Sequence, residues 1–532
     1  MSSKFFHGSS VLLGDNTVPG VQLSKELKEY IPKVLQACRD WGLDFYPTVV
    51  QLLTYDEISE IAAYGGFPVR FPHWSFGMEY EELQRGYEYG MHKIYEMVIN
   101  TNPCYIYNLA SNTLADHLTV VAHATGHNDF FKNNIHFSAT DTNMLNKMAN
   151  HGTRIRKYMA RWGKERVIEF LDHVMRLETL IDGAEAWTEK VIKDKNIRDE
   201  RKYRTPKRLH VDKNRLYMEP FLNTDAYRKK QNDLVHERDI ADEVGFFKEP
   251  TKNILGYLRD NAPLKPWQAD IVSMLYEEAM YFYPQRQTKV LNEGWASMTD
   301  SVIMTEMGLI GLGQDSEDCG IVEYAQHKMG VLGGKYSTNP YKLGYYLLMD
   351  IRERWDKGRF GQEWEDCTDL HKKENWDVPT NLGKEKMFEV RKYYDDLTLI
   401  HEFFTDDFCR KQEYFHWKHY PNGEIRLESR DYKKIKNVLM RRHLNGGLPD
   451  IKLMEPNYAG RGIMMLQHES DGRGLYEPYV SDVLASLRAI WGQDVVLATK
   501  DEKTAQEKIY YCHGSSSALV DKIDRKKLQD LY

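Results

Sequence analysis

The sequence predicts a mainly α N-terminal domain, residues 1–380, followed by a smaller α+β domain, residues 381–532. Three observations lead there. Much of the first 380 residues repeats apolar side chains at helical spacing. The composition changes near Leu382. Beyond that point Pro421-Asn422-Gly423 and Ser470-Asp471-Gly472-Arg473-Gly474 separate short apolar runs, as hairpin turns do.

Bulk properties narrow the function classes. The 532 residues leave room for two to four domains at about 150 residues each. With 42% apolar and 12% aromatic residues a sizeable core can form. A net charge of −7 excludes a protein that binds nucleic acid through its overall charge. The six cysteines are scattered with no C-x-x-C, which argues against a disulfide framework or a zinc ribbon and for reduced thiols. The N-terminus leads into no apolar run of signal-peptide length, and no stretch approaches the roughly 20 apolar residues of a membrane span. The expectation is a soluble cytoplasmic protein.

In chain order, residues 1–20 read as a loose lead. Leu27, Ile31, Val34, Leu35 and Cys38 mark a helix from Leu23 to Trp41, and Leu43 to Leu53 reads as a further short helix. Asp56 to Ala63 is a helix capped near Thr54 and stopped at Gly65-Gly66. Phe67 to Met78 is irregular and aromatic, with two prolines, and Tyr80 to Asn100 follows as a long helix. Residues 103–107 are β-like, 113–131 a helix, and 151–193 helical. Residues 196–230 crowd basic side chains with little periodicity. They read as an exposed insertion, a solvated loop or a surface for an anionic partner or RNA. Helices follow over 242–261, 265–283 and 285–307, the last two separated at Pro284, and then over 319–329 and 341–354. Lys357 to Thr380 is a polar linker. In the second domain, helices at 386–404, 431–440 and 479–491 alternate with strands at 412–420, 424–429, 463–468, 475–480, 495–499 and 508–511.

The chemistry gathers on the helix over 113–131. His123 and His127 are four residues apart, one turn plus about 40°, so they leave nearly the same face. That is how a helix offers two nitrogens to zinc or another divalent metal. The spacing matches H-E-x-x-H, but the second position is Ala124, so the usual general base is missing. Gly126 between the histidines suits the close approach of a second helix. Glu293, in Leu291-Asn292-Glu293-Gly294-Trp295-Ala296, is the candidate third ligand, since a carboxylate in an apolar row needs a partner. Two nitrogens and one oxygen resemble the ligand set of glutamate-type zinc hydrolases, a gluzincin-like core, with a fourth position open for water. Asn128, Asp129, Asn292 and His73 are candidates for supporting or substrate-facing roles. For the missing base the candidates are Glu278 first and Glu277 second, beside Tyr281 and Phe282, with Pro284 ending their helix near that of Glu293.

Three stretches carry a family resemblance: Phe71-Pro72-His73-Trp74-Ser75-Phe76-Gly77, His123-x-x-x-His127 with Asp129-Phe130-Phe131-Lys132-Asn133-Asn134, and Tyr283 to Lys289 continuing through Asn292-Glu293-Gly294-Trp295-Ala296. They resemble the stage V sporulation protein R (SpoVR) family, over nearly the whole chain. The resemblance implies a link to sporulation and the spore cortex or to stress physiology. It also implies a serine protein kinase and a von Willebrand-type protein as partners, and a His motif lacking the glutamate as a family trait. Two functions follow as expectations. One is a zinc-dependent hydrolase acting on an amide in cell-wall or peptide metabolism. The alternative is a non-catalytic regulatory or scaffold protein acting with the kinase.

Overall fold

The computed structural model describes residues 11–13, 23–88, 95–185, 250–312, 317–333, 339–420, 423–501, 504, 506–514, 519–524 and 528. The basic insertion at 196–230 lies outside them. The elements run β1 (Val11–Leu13), α1 (Lys25–Trp41), β2 (Thr48–Leu53), α2 (Tyr55–Ala63), α3 (Trp74–Glu88), β3 (Glu96–Ile99), β4 (Cys104–Leu109), α4 (Leu114–Asn133), α5 (Met144–Trp162) and α6 (Lys164–Met175). They continue with α7 (Ile254–Asn261), α8 (Pro266–Gln287), α9 (Lys289–Ser301), α10 (Glu317–Val331), α11 (Pro340–Asp356), α12 (Gly383–Tyr393), α13 (Asp396–Phe403) and α14 (Asp406–Lys411). The last are β5 (His416–His419), β6 (Ile425–Ser429), α15 (Tyr432–His443), β7 (Ile451–Tyr458), β8 (Ile463–His468), α16 (Glu477–Trp491), β9 (Val495–Lys500), β10 (Glu507–His513) and β11 (Leu519–Ile523). The chain is mostly helical, with a later sheet-containing region, as expected. It divides into two compact units, residues 1–168 with 280–448, and residues 169–279 with 449–532.

The first unit is organised around α9. Its Trp295, fully buried, meets Trp41 of α1 at 5.8 Å and Phe388 of α12 at 5.1 Å between ring centroids. Leu291 and Met298 of α9, Val121 of α4 and Leu347 of α11 close the same core. Each such side chain, fully buried, stabilises by about 1.5–3 kcal/mol. Because α12 and α13 join this core, the stretch after Leu382 belongs with the first unit up to Leu448.

Two predicted helices in this unit are strands. Thr48–Leu53, placed in a short helix, is β2, and Glu96–Ile99, the end of the long helix expected over Tyr80 to Asn100, is β3. Both pair with β4, β2 in parallel and β3 antiparallel, in a sheet ordered β1-β2-β4-β3. A parallel strand covered on both faces reads as a continuous apolar run, which periodicity alone does not separate from a buried helix. The expected helix break at Pro284 also moves. Pro284 lies inside α8, and the break falls at Thr288, whose Oγ1 donates to the Pro284 carbonyl at 2.8 Å. Proline keeps helical φ, so a long helix can carry it at the cost of the one bond its missing N–H would make.

Thr288 makes no side-chain cap for α9. Asp396 takes that part from another helix. The N–H groups of Val290 and Leu291 donate to its two carboxylate oxygens at 2.9 and 2.8 Å. The charge sits at the positive end of α9. Replacing Asp396 with alanine strands two buried donors, and we expect a loss of about 2 kcal/mol in a denaturation experiment. A loss below about 0.5 kcal/mol would show that water replaces the carboxylate.

In the second unit a five-stranded sheet is ordered β11-β10-β9-β8-β7. Its β8 and β9 are parallel, so the chain must cross over between them, and α16 is that crossover. For this reason residues 475–480 do not form the expected strand. Pro478 falls in the first turn of α16, where its fixed φ suits a helix start. The partner of β8 is instead β7, antiparallel through Ile451↔His468 and Leu453↔Leu466. The other expected hairpin forms between β5 and β6, in the first unit.

Candidate metal centre

Helix α4 is capped by Thr113, whose side chain accepts from the Asp116 N–H. From Leu118 to Phe131 every residue is buried, which a helix packed on several sides requires. Gly126 lets α9 approach. A Cβ there would stand 2.8 Å from the Cα of Ala296 and 2.9 Å from the Oγ1 of Thr299. This contact sets His123 and His127 of α4 against Glu293 of α9. One ligand atom from each lies within 4.8 Å of the others. Glu293 Oε2 is 3.3 Å from His127 Nε2 and 3.8 Å from His123 Nε2.

The other ring nitrogens decide what the imidazoles can do. His123 Nδ1 lies 2.9 Å from Asp300 Oδ2, and His127 Nδ1 lies 2.9 Å from Asn292 Oδ1. An ionised carboxylate and an amide oxygen only accept, so both Nδ1 atoms carry hydrogen. In the neutral rings each Nε2 then keeps its lone pair, and both point toward Glu293. Asp300 stays charged because Lys328 donates to its Oδ1 at 2.7 Å. Burial opposes an imidazolium at His123, but Asp300, Glu293 and Glu96 outweigh it and hold its pKa well above the usual range. Burial would also raise Glu293, and the two imidazoles overcome it and hold the carboxyl far below its ordinary value.

Glu293 Oε2 is buried and has no hydrogen-bond partner among the described residues. A buried carboxylate oxygen beside two Nε2 atoms, each able to give up its proton to a cation, fits a divalent ion, with two nitrogens and one oxygen as donors.

The remaining candidates fall elsewhere. Asp129 does not serve the imidazoles. Its carboxylate accepts from Arg391 Nη1 at 2.7 Å, from Trp295 Nε1 at 2.9 Å and from the Asp44 N–H at 2.8 Å. Asn128 exchanges hydrogen bonds with the Tyr46 backbone at 3.0 Å. His73 lines a separate cavity of about 630 Å³ with Glu60, Tyr64, Trp74, Phe76 and Tyr80. Glu277 and Glu278 belong to the second unit, and neither is part of the three-residue cluster. Two site residues escaped the sequence reading. Glu96 of β3 places Oε1 3.9 Å from His123 Nε2, and burial raises its pKa against the nearby imidazoles. Tyr341, at the start of α11, stacks on His123 with ring centroids 6.2 Å apart. Glu96 was hidden inside a predicted helix, and Tyr341 carried no motif.

A mostly helical protein with two histidines on one helix and a glutamate on a second helix packed against it defines a class of candidate metalloproteins. The chain belongs to the SpoVR family. The family described as "SpoVR like protein" matches residues 22–448, and the "SpoVR-like C-terminal domain" matches residues 449–502. The border between the two matches is where the second compact unit resumes. The chain is similar to the "Uncharacterized protein YcgB" of Escherichia coli (strain K12), 25% identical over 518 residues covering 91% of this chain and 94% of that protein. No solved structure was found to match. Among the described residues no helix is long and apolar enough to cross a membrane.

Proposed function

We propose that this SpoVR-family protein is a metal-dependent hydrolase of amide bonds, with a gluzincin-like centre in which His123, His127 and Glu293 hold zinc or a similar divalent ion. The amide would belong to a cell-wall or other peptide. The observation that supports this most is the pair of Nε2 atoms, turned by Asp300 and Asn292 toward the buried Oε2 of Glu293. When bound, such an ion supplies Lewis acidity to a carbonyl and to water. The chain's own part is to orient both rings through their Nδ1 hydrogens, to keep Asp300 ionised through Lys328, and to bring Tyr341 alongside.

Elemental analysis of the purified full chain tests the reading. About one equivalent of zinc is expected in the wild type, and almost none in the His123→Ala, His127→Ala double variant or in Glu293→Gln. The metal should also leave as pH falls, because a protonated imidazole has no lone pair on Nε2. Stoichiometric zinc retained by the double variant would overturn the assignment.

A further inference from the structure

We propose that Glu96, on β3, takes the proton from the attacking water when an amide is hydrolysed at His123, His127 and Glu293. The proposal rests on the hydrolase reading above and adds the residue that reading lacks. Helix α4 cannot supply the base, because Ala124 is fully buried in the core. Asp300 is held behind His123 by Lys328, and Asp129 is held by Arg391. Glu96 comes from a different element. Its Oε1 is 3.9 Å from the Nε2 of His123. It stands outside the set of donor atoms that lie within 4.8 Å of one another. It is thus beside the three ligands rather than among them, where a carboxylate meets an oxygen arriving at the centre.

The sheet holds it there. Glu96 pairs with Asn108 of β4, and β4 leads directly into α4, so acid and histidines share one rigid connection. Its side chain keeps 20% exposure, enough for water to reach it. Among the described residues its ion-pair partner is the imidazole of His123, not a lysine or arginine. A guanidinium or ammonium would hold the carboxylate ionised and make it a poor proton acceptor.

In the step, one O–H bond of water breaks as its oxygen bonds to the amide carbon, and that proton goes to Glu96. The same proton passes to the amide nitrogen as the C–N bond breaks. Acid and amine leave, and Glu96 is ionised again.

Acetohydroxamate is the probe. On binding a zinc centre it gives up its hydroxyl proton, which a neighbouring base receives. The test is calorimetric titration of the zinc-loaded full chain in two buffers of different ionisation enthalpy, with zinc content measured alongside. Wild type should release almost no proton to the buffer. Glu96→Gln should keep its zinc, release about one proton and bind about ten- to a hundred-fold more weakly, as the loss of one charged hydrogen bond implies. Equal affinity and proton count in the two proteins would overturn the role of Glu96. So would zinc lost from Glu96→Gln, which would make Glu96 a ligand, or no acetohydroxamate binding by zinc-loaded wild type. Wild type without zinc would instead overturn the metal reading, and this proposal with it.

Discussion

Replacing Arg391 with alanine is expected to cost about 3–5 kcal/mol of stability, with more of the loss at pH 8 than at pH 5. Asp129 is fully buried, and Arg391 Nη1 lies 2.7 Å from both of its oxygens. The guanidinium also covers the rings of Phe388 and Trp295, at 5.0 and 5.5 Å. Burial already lifts the Asp129 pKa to about 6, with Arg391 holding it down. A carboxyl whose folded pKa is raised contributes stability below its unfolded pKa and loses it as pH rises through the folded value. Without Arg391 the folded pKa climbs further, so the variant is penalised most where Asp129 must be charged. At pH 5 the neutral acid can still accept from Trp295 and Asp44. Thermal melts at the two pH values measure the difference. An equal loss at both would show that the guanidinium acts by packing over the rings and not by charge.

Replacing Gly294 with alanine has the next largest expected effect, and its sign opposes helix propensity. In an open helix the change gains about 1 kcal/mol. Here α9 crosses α11 at two glycines. A Cβ on Gly294 would lie 2.3 Å from the carbonyl carbon of Gly344, and one on Gly344 would lie 2.1 Å from the carbonyl oxygen of Val290. Backbone meets backbone, so no side chain can swing aside and the helices must separate. We expect a loss of about 3 kcal/mol or more. Because Glu293 is the preceding residue, zinc retention should fall as well. Gly77 of α3 provides the control. Nothing lies within 4 Å of its added Cβ, and alanine there should stabilise. Similar melting temperatures for the Gly294 and Gly77 variants would show that α9 and α11 move apart at little cost.

His123 and His127 share a face by helical spacing, and a local rule suffices for that. Glu293 is legible in the same way, because an acid in an apolar row is costly without a partner. The strand at Cys104–Leu109 and the pairing of β5 with β6 follow from short-range chemistry too. Glu96 was out of reach because β3 becomes a strand only by pairing with β4, and residues 80–100 in isolation carry helical spacing. The break at Thr288 was missed because proline's local rule gave way to the surroundings of α8.

By itself the sequence determined which residues could chelate and which segments could be amphipathic, since both depend on neighbours a few positions away. Only the tertiary structure decided what each polar group does. Asp129, next to the histidines in sequence, serves a buried arginine 262 residues away, while His123 takes its acceptor from Asp300, 177 residues away. A buried charge or ring N–H must find a partner wherever packing supplies one. That choice is made when α4, α9 and α12 close on Trp295, and no local pattern along the chain records it.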